Sequence, residues 1–220
     1  MPVTNKNISR VISLIEKHNK QYKVPAVTLV ARNHHSPWHV LISTIISLRT
    51  KDEVTWKAAE RLFKAVYTPE ATLKLSTAQI EKLIYPAGFY KTKAKTIKYL
   101  AETILNEYGG VVPDEIDELV KLKGVGRKTA NLVLIEGYQK EAMCVDTHVH
   151  RISNRFGYVK TKNPDETESA LRKKLARRHW IGYNELLVTF GQNHCAPISP
   201  RCSTCPVSTF CARVGVGKSR

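Results

Sequence analysis

The amino-acid sequence predicts an all-α fold, and three observations lead to this expectation. Apolar residues recur three and four positions apart through most of the chain, which is the spacing of one face of a helix. Almost no segment alternates apolar and polar residues for long enough to form a strand. Turn residues separate the apolar stripes, as at Thr68-Pro69 and between Pro86 and Gly88. The 220 residues, 42% of them hydrophobic, are enough for one large domain or two small ones.

The apolar stripes place the predicted helices along the chain. Five stripes have the spacing of a buried helix face: Ile8, Val11, Ile12 and Ile15; Val40, Leu41, Thr44, Ile45 and Leu48; Ala58, Leu62 and Val66; Ile80, Leu83 and Ile84; and Ile97, Leu100, Ala101 and Ile104. The second stripe follows Ser36-Pro37, which is typical of a cap with proline at the first helical position. Each stripe is expected to lie in the core.

The segment from Pro113 to Gly137 predicts two helices joined by a tight hairpin. Asp114 is expected to cap a first helix that buries Ile116, Leu119 and Val120. Gly124 and Gly126 allow the tight turn. The second helix has an i, i+3, i+4, i+7 face: Ala130, Val133, Leu134 and Gly137. Free N–H groups around Val125 to Arg127 can bind a phosphate, although an ordinary helix connection has the same glycines.

The charge of the chain points to a polyanionic partner. Thirty-five Lys and Arg residues against nineteen Asp and Glu residues give a net charge of +16 and a pI near 9.7. Cations that neutralise phosphates release counterions, which drives binding to nucleic acid. A basic protein that is merely soluble, or that binds acidic membranes, is the alternative. The sequence contains neither a membrane-length apolar run nor an apolar signal core, so we expect an intracellular protein with reduced thiols.

Four of the five cysteines form a cluster near the C-terminus. Cys195, Cys202, Cys205 and Cys211 are separated by six, two and five residues. In a reducing compartment such a cluster predicts metal ligands rather than disulfides. The Cys202-x2-Cys205 spacing suits zinc, and four thiolates also suit an iron–sulfur cube. The remaining Cys144 is expected to be a small core residue.

Three features, in this order, resemble the endonuclease III family of DNA base-excision glycosylases in the helix-hairpin-helix superfamily: Leu122 to Ala130, Val145-Asp-Thr-His148, and the cysteine loop. The resemblance extends from about Ser36 to Cys211. It implies two helical lobes with a DNA-binding groove between them. One lobe is a six-helix domain at 30–140, and the other is an iron–sulfur domain of 1–29 with 141–220.

The resemblance also implies the cofactor and the partner of the protein. The uneven cysteine spacing matches the family's [4Fe–4S] site and favours it over zinc. The partner is double-stranded DNA with damaged bases or abasic sites. A monomer without membrane association, in the cytoplasm or nucleoid, is expected.

Two positions match the family's catalytic residues. Lys128 corresponds to the lysine whose neutral amine attacks the sugar C1′, which argues for a combined glycosylase and lyase. Asp146 corresponds to the catalytic carboxylate, and it is expected to face Lys128 across the groove. On the residues alone, a simple phosphate-binding lysine is the alternative for Lys128, and Asp146 is read as a helix N-cap.

Further DNA contacts follow from the same resemblance. Arg49 stands where the family usually has a glutamine that fills the gap left by an extruded nucleotide, and Phe89 corresponds to the apolar wedge. Arg201 is expected to contact the DNA backbone. The hairpin residues Gly124, Val125, Gly126 and Arg127 complete the predicted interface. Alternatively, Arg49 contacts a phosphate and Phe89 is a core aromatic residue.

The function implied by the resemblance is removal of oxidised pyrimidines followed by cleavage of the abasic site. A mismatch-specific thymine or adenine glycosylase on the same fold is the first alternative. Adenine-specific relatives need a glutamate on the helix that ends near Thr50, and Val40 to Thr50 contains no acidic residue. A non-catalytic iron–sulfur DNA-binding protein is the second alternative, and the presence of both Lys128 and Asp146 argues against it.

Overall fold

The computed structural model of the protein describes residues 2–220, and this part of the chain is all-α, as predicted. Its α-helices, numbered α1 to α12 in chain order, are Ile8–Asn19, Ala26–His34, Pro37–Ser47, Asp52–Ala65, Pro69–Lys74, Thr77–Ile84, Tyr90–Tyr108, Ile116–Leu119, Arg127–Leu132, Thr147–Arg155, Pro164–Lys174 and Trp180–Asn193. A π-helical turn spans Val133–Gly137, and short 3-10 turns span Arg177–His179 and Ser208–Phe210. Every helix within residues 2–220 is too short or too polar to cross a lipid bilayer.

The chain divides into two compact units. One unit is the continuous segment Pro25–Ala142, which carries α2 to α9 and the π-helical turn. The other combines the described residues before Pro25 with Met143–Arg220 and carries α1 and α10 to α12. The second unit is therefore assembled from both ends of the chain.

Helix α3 forms the centre of the continuous unit. All its residues from Trp38 to Ile46 are buried, and it packs against α2, α4, α7, α9 and the π-helical turn. The predicted stripes of α4 and α7 are buried as expected. Leu48 was predicted to lie in the core, but it is 36% exposed because α3 ends at Ser47, one residue before it.

The core of the other unit joins helices from distant parts of the sequence. Ile12 and Ile15 of α1, Val149 of α10 and Phe190 of α12 belong to one buried apolar cluster. Helix α12 packs against α1 and α10, and α11 packs against α10. Cys195, Cys205 and Cys211 are packed against the edge of this cluster, so the cysteine loop rests on it.

The helices around the hairpin differ from the prediction in three respects. Helix α8 has only four residues, and Val120 lies beyond its end and is 39% exposed. Its N-cap position is Glu115 rather than Asp114, and the Glu115 side chain makes no capping hydrogen bond. Asp114 instead forms an ion pair with Lys140, with Oδ2 2.7 Å from Nζ. The second helix changes from α-helical to π-helical geometry after Leu132.

Gly137 at the end of the π-helical turn lies directly against α3. A Cβ atom at this position would lie 3.0 Å from the Cα atom of Pro37. Because that neighbour is backbone, a larger residue would push the turn away from α3. The glycine therefore positions the second hairpin helix.

Candidate functional site

The hairpin between α8 and α9 is a tight turn, as its two glycines predict. Gly124 has φ +89°, a left-handed conformation that glycine adopts without strain. The Val125 N–H donates to the Leu122 carbonyl at 3.0 Å, and the Val125 side chain is buried. The prediction of a free N–H at Val125 is therefore wrong. Gly126 and Arg127 remain the predicted backbone contacts to phosphate.

Lys128 is the second residue of α9 and directly follows the hairpin. Its side chain is exposed, whereas the next residues, Thr129 and Ala130, are buried. The helix thus anchors the backbone while the amine faces outward. An exposed amine beside this tight turn has the access that a nucleophile needs.

Asp146 caps helix α10. Its Oδ1 atom accepts hydrogen bonds from the His148 N–H at 2.8 Å and from the Val149 N–H at 2.9 Å. The residue is half-buried, and no hydrogen bond to Oδ2 comes from a described residue. The capping role therefore uses one carboxylate oxygen and leaves the other for a second role.

The predicted site residues are distributed over both units. Arg49, Phe89 and the hairpin with Lys128 belong to the continuous unit. Asp146, Arg201 and the four clustered cysteines belong to the unit formed from the chain ends.

Arg49 and Phe89 lie in two neighbouring loops of the continuous unit. Both are exposed and both have left-handed backbone conformations, with φ of 51° and 57°. The Phe89 ring is 62% exposed, which excludes the alternative that it is a core aromatic residue. The two side chains therefore project outward from conformations that bulky residues rarely adopt.

Gly88 holds these two loops in contact. A Cβ atom on Gly88 would lie 2.5 Å from the Arg49 carbonyl oxygen, so only glycine fits. Its N–H also donates to the Thr50 hydroxyl oxygen at 3.1 Å. Neither this contact nor the role of Lys93, a buried lysine on α7 that binds the same loop, was predicted from the sequence.

The four clustered cysteines line one cavity. All are free thiols and half-buried, and Phe190 and His194 complete the wall nearest to α12. Within residues 2–220, no group of three or more His, Cys, Asp or Glu side chains is arranged to hold a metal ion. Cys144 lies elsewhere and is buried, as predicted for a core residue.

Arg155 at the end of α10 organises the cysteine loop. Its Nη1 donates to the Ala196 carbonyl at 2.7 Å and to the Cys195 Sγ at 3.4 Å, and its Nη2 donates to the Pro197 carbonyl at 2.7 Å. The Cys211 thiol donates to the Arg155 carbonyl at 3.4 Å. One buried arginine thus connects the first and last cysteines of the loop.

Burial favours the neutral form of two thiols in the loop. Burial raises the pKa of the Cys205 thiol to about 11 and also raises the pKa of Cys211. Metal binding needs thiolates, so a metal must displace these protons.

Arg201, which precedes Cys202, is exposed, and its backbone N–H donates to the His194 carbonyl.

Comparison with known sequences identifies relatives over most of the chain. A family sequence model described as HhH-GPD superfamily base excision DNA repair protein matches residues 42–177. Endonuclease III of Thermotoga maritima is 46% identical over 194 residues, which cover 86% of this chain and 91% of that relative.

Comparison with solved structures extends the similarity to the whole fold. A trapped covalent intermediate of endonuclease III with DNA has a TM-score of 0.84 at 32% identity, covering 96% of this chain and 97% of that one. A thermostable thymine-DNA glycosylase has a TM-score of 0.79 at 26% identity, covering 95% and 97% of the two chains.

Proposed function

The chain belongs to the HhH-GPD superfamily of base excision DNA repair proteins, and we propose that it removes oxidised pyrimidines from double-stranded DNA and cleaves the resulting abasic site. It is a DNA glycosylase and AP lyase of the endonuclease III type. The observation that carries the proposal is the exposed Lys128 directly after the hairpin. The proposed active form is a monomer.

The proposed reaction begins with Lys128. Its neutral amine attacks C1′ of the damaged nucleotide, the N-glycosidic bond breaks, and the base leaves with the bonding electrons. Loss of a proton from the amine and opening of the sugar give an imine between Nζ and C1′. Removal of a C2′ proton then expels the 3′ phosphate by β-elimination.

Asp146 supplies the proposed carboxylate for this reaction. A negative charge stabilises the oxocarbenium-like sugar as the glycosidic bond breaks, and a carboxylate also accepts the proton from the attacking amine. The Oδ2 atom is proposed for this role because Oδ1 is used by the cap of α10.

Base extrusion is proposed to depend on Phe89 and Arg49. A base in a duplex must leave the stack before its glycosidic bond can be reached, and inserted side chains compensate for the lost stacking. The exposed Phe89 ring is suited to stacking, and the Arg49 guanidinium is suited to hydrogen bonding with the orphaned base. Gly124, Gly126, Arg127 and Arg201 are proposed contacts to the DNA backbone.

A [4Fe–4S] cluster is the proposed cofactor of the cysteine loop. In such a cube each iron takes one cysteine, so no single ion needs three protein ligands. A zinc ion would need several of these thiolates around one centre. The shared cavity of Cys195, Cys202, Cys205 and Cys211 therefore suits the cube better than zinc. The cluster folds the loop or senses redox state, because hydrolysis of a glycosidic bond needs no electron.

A mismatch-specific thymine glycosylase is the second candidate, because a thymine-DNA glycosylase has a similar fold. A panel of duplexes distinguishes the two functions. We expect base release and a borohydride-trapped adduct with oxidised pyrimidines. Release of thymine from a guanine mismatch, without reaction on oxidised pyrimidines, would favour the alternative.

A further inference from the structure

The ammonium group of Lys93 is buried inside the continuous unit. Lys93 lies in the first turn of α7 and is 5% exposed. Its Nζ donates to the Ile46 carbonyl at 2.7 Å and to the Leu48 carbonyl at 2.6 Å. These carbonyls belong to the end of α3 and the loop after it, so a charge on α7 holds the end of another helix.

A third hydrogen bond extends this contact to the loop that carries Phe89. Lys93 Nζ donates to the Thr50 hydroxyl at 2.8 Å, and the same oxygen accepts from the Gly88 N–H at 3.1 Å. The Thr50 hydroxyl donates in turn to the Leu48 carbonyl at 3.3 Å. A hydroxyl has one donor and two acceptor sites, and all three are used here.

The bonds of Lys93 lie on both sides of Arg49. The Leu48 carbonyl precedes Arg49, and the Thr50 hydroxyl follows it. Thr50 also binds the residue before Phe89. The ammonium of Lys93 therefore holds the backbone around Arg49 directly, and it holds the backbone before Phe89 through the Thr50 hydroxyl.

The burial of Lys93 is energetically costly. Burial lowers its pKa to about 8, so the group remains charged at neutral pH. A charge is tolerated in a protein interior only when its donors are satisfied, and Lys93 has three acceptors for its three N–H groups. Since charge-assisted hydrogen bonds are the stronger ones, this group is suited to holding strained loops.

We propose that Lys93 is a positioning residue that holds Arg49 and Phe89 ready for insertion into DNA. This inference rests on the proposed function, because it assumes that these two side chains fill the gap left by an extruded base. Without the ammonium, both loops relax from their left-handed conformations, and insertion becomes less favourable. The chemistry at Lys128 does not depend on Lys93.

A matched control is present on the same helix. Lys98 also donates from α7 to carbonyl groups at the end of a helix, namely that of Leu73 in the last turn of α5 and that of Leu75, which follows α5. This site lies apart from Arg49 and Phe89 in the hydrogen-bond network. Lys98→Met therefore reproduces the loss of an ammonium without loosening the two loops.

The experiment compares Lys93→Met, Lys98→Met and wild type in three assays. A duplex with a stable abasic analogue and a neighbouring 2-aminopurine reports insertion by fluorescence. Single-turnover base release is measured for one lesion in a duplex and in an unpaired bubble. For Lys93→Met we expect a smaller fluorescence rise and a loss of about 10- to 30-fold on the duplex, as for one charged hydrogen bond. Bubble rates should stay within about threefold.

A second pair of variants tests the same contact without removing the lysine. Thr50→Val deletes the hydroxyl and should reproduce the loss on the duplex, whereas Thr50→Ser retains it and should behave like wild type. Equal losses on duplex and bubble, or equal fluorescence for Lys93→Met and Lys98→Met, would overturn the positioning role. Absence of base release and adduct in wild type would instead refute the proposed function.

Discussion

The guanidinium carbon of Arg49 lies 5.6 Å from the centre of the Phe89 ring. This distance is within the range of a cation–π contact. Two residues that are 40 positions apart in sequence thus form one exposed feature, even though the resemblance to known glycosylases assigned them separate tasks. The contact suggests that a change at Arg49 also alters how Phe89 is presented.

The first prediction concerns the opposite base. Arg49→Gln should reduce a preference for lesions opposite guanine by about 1 kcal/mol, because the planar fork of arginine can donate to both O6 and N7 and glutamine lacks this fork. Single-turnover rates with guanine and adenine opposite the same lesion measure this effect. Arg49→Lys distinguishes a base contact from a phosphate contact, since lysine keeps the positive charge for a phosphate but lacks the planar fork. Equal guanine-to-adenine ratios in wild type and Arg49→Gln would refute base reading.

The second prediction concerns the nucleophile. Lys128→Gln should abolish the borohydride-trapped adduct while DNA binding remains, because an amide cannot form an imine. Lys123→Gln removes another exposed lysine of the same hairpin and should leave the adduct intact. Undiminished trapping in Lys128→Gln would assign the nucleophile to another amine.

The third prediction separates the two roles of Asp146. Asparagine caps helices about as well as aspartate, so Asp146→Asn should unfold at nearly the same temperature as wild type. Base release should nevertheless fall by about 100-fold, because the charge is lost. Asn163→Ala is the control: it removes the cap of α11, should cost about 1 kcal/mol of stability, and should leave base release unchanged. Near-wild-type release by Asp146→Asn would limit Asp146 to capping.

The fourth prediction concerns acid stability and His39. This ring is fully buried and stacked on His34 at 4.5 Å, and neither of its nitrogens has a hydrogen-bond partner among the described residues. Burial, with a smaller effect from His34, lowers its pKa from 6.5 to about 4. Between these pH values the unfolded chain binds more protons, so the free energy of unfolding falls as the pH drops.

Urea unfolding at pH 7 and pH 4.5 measures this effect. His39→Phe should reduce the acid loss by up to about 2.5 kcal/mol, because pH 4.5 lies two units below the ordinary histidine pKa of 6.5 and each unit is worth about 1.4 kcal/mol. His35→Asn, a change at an exposed histidine, should not reduce it. An unchanged pH dependence in His39→Phe would show that other groups cause the acid loss.

The fifth prediction concerns the cysteine loop. The purified protein should be yellow-brown and contain iron and sulfide, and Cys202→Ser should lose both. Cys144→Ser should retain them, since that residue is buried away from the cavity. A colourless protein with stoichiometric zinc would contradict the cluster assignment.

The helices were predictable because their apolar residues repeat with the helical period. The stripe Ile97, Leu100, Ala101 and Ile104 lies on one face of α7 and is fully buried. The same reasoning failed at Val120, because α8 has only one turn and a period cannot be assigned to so short a helix. The site residues were inferred from motifs, and their roles remain predictions.

The loop geometry was not predictable from the sequence. Arg49 and Phe89 are neither glycine nor asparagine, so their types give no sign of a left-handed backbone. Lys93 was missed because lysine is usually assigned to the surface. A signal was nevertheless present: Lys93 precedes Ile97 by one helical turn and therefore lies on the buried face of α7.

The left-handed conformations of Arg49 and Phe89 have a consequence for the evolution of the protein. Each such residue costs on the order of 1 kcal/mol relative to a relaxed backbone. In a population selected for thermostability alone, glycine would be favoured at both positions. Selection for repair would favour the bulky side chains, so these loops are where stability and activity trade off against each other.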